Sequence, residues 1–330
     1  MGLADTEAGI PTAEVVVSPL ARKPRRIERA AELLLRVVAL TSIASVILIL
    51  AFVAREAIPI LTNELVRREV TPAGMITPNI LADGTEQYTW QPVSEIPKYN
   101  LVPLVVGSLK VTILALLIAA PLSIAAAVYV SEFAKRRARE IVKPVIELLA
   151  GIPSVVIGFF ALIVLASWVQ KTFGTEHRLN SLVAGIGLAL AVSPLIFTVS
   201  EDALRAVPTS YRTAALALGS DRFQMITRVV LPAAMPGILA SLVLGFGRAI
   251  GETMIVVLAS GNAALVSGAI GVSARTITAT IAQELGEVVV GSAHYHVLFA
   301  LGALLFVTTF VLNFLGERVI HGLRRKLGMA

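Results

Sequence analysis

Val111-Thr-Ile-Leu-Ala-Leu-Leu-Ile-Ala-Ala-Pro-Leu-Ser-Ile-Ala-Ala-Ala-Val-Tyr-Val130 runs through twenty residues without a charged side chain. As a helix rising about 1.5 Å per residue, it covers the roughly 30 Å hydrocarbon layer of a bilayer. Five more segments have the same character: Leu33–Ala54, Leu148–Val169, Ser181–Val199, Ile238–Ala259 and Val297–Leu315. The first is preceded by Arg25 and Arg26, as a signal peptide would be. Its apolar run to Ala54 is long and lacks a small-x-small cleavage site, so it reads as a retained span. Ala263–Val272 is too short and glycine-rich to be a seventh.

Composition agrees with this pattern. Of 330 residues, 56% are hydrophobic and 15% charged, and mean hydropathy is +0.82. Soluble domains are about one quarter charged, so this chain cannot cover itself with hydrated surface. The absence of cysteine excludes a disulfide scaffold, a cysteine-ligated metal site and a thiol enzyme. The fold class is therefore all-α: a polytopic membrane protein with six transmembrane helices and an irregular external segment between the first and second.

The net charge of +6 acquires meaning once the charges are placed. Arg22, Lys23, Arg25, Arg26 and Arg29 precede the first span, and Lys135, Arg136, Arg137, Arg139 and Lys143 follow the second. Arg205, Arg212, Arg222 and Arg228 lie between the fourth and fifth, and Arg318, Arg324, Arg325 and Lys326 end the chain. The opposite side carries Arg55, Arg67, Arg68, Lys98, Lys171, Arg178 and Arg275 over longer segments. Positive residues stay inside, which places both termini in the cytoplasm. The basic N-terminal run is expected to anchor topology beside anionic membrane lipid, with no nucleic acid as partner.

The resulting divisions are a cytoplasmic tail 1–32, helix 1 at 33–54, an external segment 55–110, a core of helices 2–6 at 111–315, and a cytoplasmic tail 316–330. Five prolines and the turn Ala82-Asp83-Gly84 make 55–100 irregular, with a hairpin expected around Gln87–Trp90. Pro121, Gly151–Ser154, Pro194 and Gly245, Gly247 and Gly251 interrupt the spans. Such positions either let helices pack closely or free backbone groups beside a cavity. Close packing is the expectation for Gly245 and Gly247, while both readings stay open for Gly151–Ser154.

Residues 201–236 read as an ordered helical hairpin. Pro208 suits a first helical position and Gly219 a left-handed cap. Ser220 is expected to cap the second helix, with Asp221 in its first turn and Pro232 and Pro236 as its stop. The run Thr213-Ala214-Ala215-Leu216-Ala217-Leu218-Gly219, followed after nine residues by Val229 and by Leu231-Pro232, resembles the EAA loop of ABC importer permeases. Thr213 stands where that motif has glutamate. Glu147-Leu-Leu-Ala-Gly-Ile-Pro-Ser154, Gly247-Arg248-Ala-Ile-Gly-Glu252-Thr-Met254 and Ser292-Ala-His-Tyr295 resemble the C-type (PstC) permease subunit of the phosphate-specific ABC importer, from about residue 33 onward.

The resemblance implies a type I importer permease of the bacterial cytoplasmic (inner) membrane. It implies a second, A-type permease, a cytoplasmic ATPase dimer that binds ATP and Mg, an external phosphate-binding protein, and phosphate as cargo. Thr213, Ala214, Ala215, Gly219, Leu231 and Pro232 would couple to the ATPase, and Arg248, Glu252 and Ser154 would line the pathway. The chain itself has no G-x-x-x-x-G-K-[ST] run and no nucleophile–base constellation, so neither a cofactor nor enzyme activity is expected of it.

Arg248 and Glu252 are expected as an i, i+4 pair inside the fifth span. An intramembrane arginine must be paired or face water, so the pair is either scaffold or an oxyanion fork held by a carboxylate. Thr276, Thr278, Thr280, His294 and His296 are expected as loop polar groups, without a metal site. Other oxyanions (sulfate, molybdate, phosphonate) remain the alternative cargo. An ATP-independent transporter would leave the cytoplasmic hairpin unexplained, and a membrane enzyme would need a catalytic cluster.

Overall fold

The computed structural model describes residues 26–80 and 84–326. Arg22, Lys23 and Arg25 of the basic tail, and Ala82 and Asp83 of the expected turn, lie outside the described residues. Contacts divide the chain into two units, Met1–Leu50 and Ala51–Ala330. The first unit's described part is residues 26–50 of helix α1 (Arg26–Ala57), which is longer than the apolar run at both ends and whose last residues belong to the second unit.

In the second unit, α2 (Pro59–Thr62) and α3 (Glu64–Glu69) precede two small antiparallel ladders. One ladder joins β1 (Asn79–Ile80) to β2 (Glu86–Gln87), the other β3 (Trp90–Gln91) to β4 (Lys98–Tyr99). Gln87 and Trp90 thus belong to different ladders, so the strand pairing expected around Gln87–Trp90 is present but divided between two ladders. The turn at Gly84, with φ +80°, falls between β1 and β2.

Helix α4 (Val102–Val128) continues as a π turn to Phe133, and α5 (Arg136–Ala150) follows. The third span begins at Ser154, not at Leu148. Gly151 ends α5, and Pro153 restricts its predecessor to extended backbone, so α5 and α6 (Ser154–Phe160) are separate helices. A π turn links α6 to α7 (Ala166–Phe173). Helix α8 (Ser181–Ala206) passes through Pro194 unbroken, as α4 passes through Pro121.

Helices α9 (Thr209–Ala217) and α10 (Arg222–Met225) form the hairpin expected between the fourth and fifth spans. Pro232 and Pro236 do not stop the second arm. A π turn at Ile226–Val230 leads straight into α11 (Leu231–Ile250). The widened turn moves the carbonyl that a proline ring would otherwise strike four residues back. The fifth span therefore starts near Arg222 and ends at Ile250, followed after a break by α12 (Met254–Ala259). Helices α13 (Ile277–Glu284) and α14 (Ala293–Lys326) complete the chain.

Among the described residues, six stretches are long and apolar enough to cross a membrane: Arg29–Thr62, Val102–Phe133, Ser154–Phe173, Ser181–Ala206, Arg222–Ile250 and Ala293–Arg325. Helix α8 is the centre of the second unit, with Val183, Leu188, Val192, Ile196 and Leu204 buried along its length. Close approach explains several glycines. A Cβ at Gly245 would lie 2.8 Å from Ile196 on α8, and one at Gly185 would lie 2.9 Å from Leu114 on α4. Ser200 and Ser241 hydrogen-bond at 2.9 Å across the α8–α11 contact. The segment between the first two spans is not loose: Ile60, Val66, Val70, Met75, Trp90 and Tyr99 share an apolar core with Leu104, Ile277, Val297 and Leu301.

Candidate functional site

Two breaks in the helical pattern share one geometry. Gly151 ends α5 at φ −80°, ψ −9°, and Gly251 ends α11 at φ −85°, ψ −7°. In each case three residues separate the flanking helices. The helices that follow, α6 and α12, meet at Gly158, where a Cβ would approach the Met254 carbonyl to 3.2 Å and Leu258 to 2.7 Å. Gly187 of α8 closes the third side, where a Cβ would lie 3.1 Å from Ile255 and 3.2 Å from Ala161.

Arg248 lies in the last turn of α11, and Glu252 lies beyond the helix end. The expected i, i+4 pair is therefore not formed, and no ion pair joins them. Glu252 turns its carboxylate onto the next peptide, Oε1 accepting from the Thr253 N–H at 3.1 Å. Its backbone carbonyl accepts from the Thr278 hydroxyl at 2.9 Å. Arg248 is exposed on this chain and has no hydrogen-bonding or acidic partner among the described residues. Ser154 is half-buried at the start of α6, without a bond to either. The break, rather than a paired helix face, is what these three residues have in common.

The hairpin has the helix–Gly–helix form that the sequence implied. Gly219 has φ +84°, and nothing lies within 4 Å of a Cβ built there. Asp221, not Ser220, is the N-cap: its side chain accepts from the Gln224 N–H at 2.7 Å, and Gln224 returns a bond to Asp221 N–H. Pro208 is likewise a cap rather than the first helical residue. Ala215 is buried against Leu204, Val207, Met225 and Ile226, while Thr213 and Ala214 are exposed. The Thr213 hydroxyl donates to the Ser210 and Thr209 carbonyls of its own helix, so it does not substitute for a glutamate reaching elsewhere. Leu231 and Pro232 are half-buried where α11 begins.

The hairpin's anchor is Glu132, a residue the sequence reading did not single out. Arg212 of α9 donates Nη2 to Glu132 Oε1 at 2.8 Å and Nε to Oε2 at 3.3 Å. The same guanidinium satisfies the Val207 and Leu204 carbonyls. Arg222 of α10 reaches the Glu132 backbone carbonyl. Both arms are thus tied to the end of α4. A second tie joins Lys143 on α5 to Glu201 at 2.9 Å and Asp202 at 3.3 Å on α8. The hydrogen bond that Lys143 donates to Glu201 raises the Lys143 pKa above that of an ordinary lysine. The signal for these residues was present as charge at span ends, but topology alone accounted for it.

Residues 119–327 match the family described as "binding-protein-dependent transport system inner membrane component". The chain belongs to that family. Among relatives, it is 40% identical over 225 residues to the probable ABC transporter permease protein YqgH of Bacillus subtilis, covering 67% of this chain and 72% of that one. It is 36% identical over 243 residues to the phosphate transport system permease protein PstC of Mesorhizobium japonicum, covering 68% and 73%. It is 34% identical over 252 residues to PstC 1 of Mycobacterium tuberculosis, covering 69% and 74%.

Solved structures agree on the fold. The MetNI methionine ABC transporter in inward-facing form aligns with TM-score 0.51 at 18% identity, covering 68% of this chain and 94% of that one. A bacterial alginate ABC transporter, solved with a periplasmic protein holding an alginate pentasaccharide, aligns with TM-score 0.57 at 18% identity, covering 88% and 94%. The molecule is a multi-pass inner-membrane permease of the type I ABC importer fold. A transport family of this kind is not an enzyme family.

The permease buries the polar residues that its sequence suggested were surface loop groups. Thr276, Thr278, Thr280 and His296 are all less than a tenth exposed. Thr276 caps α13, its hydroxyl accepting from the Ala279 N–H at 3.2 Å. His294 Nε2 lies 2.9 Å from Glu284 Oε2, and His296 Nδ1 lies 2.7 Å from the Glu56 carbonyl. No group of three or more metal-ligating side chains occurs among the described residues.

Proposed function

We propose that this permease is the C-type subunit of an ATP-driven importer of inorganic phosphate. It forms the pathway with an A-type permease, receives phosphate from an external binding protein, and is driven by an ATPase dimer through the 201–236 hairpin. ATP and Mg sit on that ATPase, and this chain carries no cofactor or catalytic site of its own. Both termini are cytoplasmic, and Thr213, Ala214, Ala215, Gly219, Leu231 and Pro232 belong to the coupling surface.

The observation that carries the reading is Arg248. An arginine at the end of an apolar helix, exposed and without an acid, has to meet water, a partner subunit or an anion. Its planar fork matches a tetrahedral oxyanion. Glu252 and Ser154 stand at the two breaks as the other pathway residues. Phosphate, among oxyanions, is favoured by the PstC relatives.

Labelled-phosphate uptake, normalised to membrane abundance in cells without other phosphate importers, tests it. Losing one charge-assisted contact should lower uptake about tenfold or more in Arg248→Gln. Arg248→Lys should retain part of the activity, since charge survives without the fork. Because Glu252 is not its ion-pair partner, adding Glu252→Gln should restore nothing. Near-normal uptake by the double variant would make both residues scaffold. Inhibition by excess sulfate, molybdate or phosphonate in place of phosphate would move the cargo assignment to that oxyanion.

A further inference from the structure

A continuous run of polar contacts leads from the external segment to the break in the fifth span. Trp90 Nε1 donates to Glu284 Oε1 at 3.0 Å. Glu284 is ion-paired with Arg275, and Arg275 Nε donates to Thr280 Oγ1 at 3.1 Å. Thr280 donates to the Thr276 carbonyl at 2.8 Å. The Thr276 and Thr278 hydroxyls are 3.1 Å apart, and Thr278 donates to the Glu252 carbonyl at 2.9 Å.

The proton count has one solution. Thr278 has a single hydroxyl hydrogen, and Glu252 takes it, so Thr276 must donate to Thr278. Thr276 in turn accepts from Ala279, and Thr280 accepts from Arg275 while donating onward. Every hydroxyl donates once, and all point the same way, toward the break. All three threonines are buried, where such bonds are strong and an unmade one is costly. The run cannot slide. Gly107 of α4 lies against the Arg275 backbone, with a Cβ there only 2.2 Å from its carbonyl oxygen, and Ser108 Oγ accepts from the Ile277 N–H at 3.0 Å.

We infer that Thr278, with Trp90, Glu284 and Arg275 behind it, is a positioning residue that sets the backbone of the Gly251–Thr253 break according to the state of the external segment. Glu284 and His294 also line an external groove of about 440 Å³ with Val93, Val289 and Ser292, so the run borders that groove at Glu284. Its meaning for transport rests on the proposed function, in which an event outside must reach Arg248, three residues before Gly251. The test measures coupling between the two ends of the run directly.

The chain has no cysteine, and Gly251 is exposed with its nearest Cβ contact at 3.5 Å. Gly251→Cys is therefore a reporter that fits, read as its rate of labelling by a small thiol reagent in the assembled complex. Against this parent, Thr278→Val should change the rate about threefold or more, and Thr278→Ser, which keeps the hydroxyl, should not. Trp90→Phe, which removes only the indole N–H at the far end, should shift the rate in the same direction. The double variant should match the singles rather than add to them. Parental rates in both Thr278→Val and Trp90→Phe would overturn the inference. A change in Thr278→Val without one in Trp90→Phe would also overturn it, leaving Thr278 a local brace. These rates do not depend on the cargo, so a wild-type complex that takes up no phosphate would defeat the functional reading and leave this one standing.

Discussion

Glu132 ends α4 with its side chain 6% exposed, and Arg212 places every polar atom it can on Glu132 or on nearby carbonyls. A pair this buried gains little over apolar residues of the same size, but stranding one partner costs about 3–5 kcal/mol. Its use is geometric: it holds the hairpin in one position on α4. Tyr99 shows burial acting on a single group outside the spans. Burial first, then the nearby charges of Glu69 and Glu284, push its pKa from 10.0 to about 12. The unfolded chain would release that proton near pH 10 while the folded chain keeps it. The resulting stabilisation is complete below about pH 10 and is lost as pH rises toward 12. Phenolate absorbance should therefore show one of the five tyrosines titrating near pH 12, and Tyr99→Phe should remove that late step. A late step that survives Tyr99→Phe would show that another tyrosine is the shielded one.

At the scale of elements, the π turns decide how the spans connect. Those at 129–133 and 226–230 lie where α4 ends and α11 begins, on the hairpin's side, and the second makes hairpin and fifth span one stretch. A push on the hairpin would thus be carried by helix into the span whose last turn holds Arg248. Gly219 is the hinge of that hairpin. With open space around its Cβ position, the cost of a side chain there is conformational only, about 1–2 kcal/mol in the left-handed region and worse when β-branched. Gly219→Val should leave the spans inserted and abundance normal, yet lower uptake several-fold relative to ATP hydrolysis. The check is both rates on one purified, reconstituted complex; an unchanged ratio would remove the hairpin from coupling. The capping box at Asp221 is local chemistry, and the sequence missed its cap by one residue because Ser and Asp are equally good caps.

For the whole molecule, orientation is the open expectation with the simplest test. A Thr85→Cys permease should react with an impermeant thiol reagent added outside intact cells, and cysteines placed in either terminal tail should not. Labelling at 85 from the cytoplasm alone would invert the topology. The number of spans, their approximate places and the hairpin were legible in the chain because each depends on neighbours in sequence: an apolar run, a glycine after a helix, a cap before one. The beginning of the third span and the end of the fifth were not. The apolar runs continue across Gly151–Pro153 and Gly251–Thr253, and hydrophobicity is blind to a change of backbone angle. The unpaired Arg248 follows from that same break, since helical spacing assigns it a partner that the ended helix withholds. The contacts of Trp90 with Glu284, of Glu132 with Arg212 and of Ser108 with Ile277 join residues 80 to 194 positions apart. A carboxylate or hydroxyl in the sequence states that it needs a partner. Only packing, which brings distant segments within 3 Å in a medium without water, decides which one it gets.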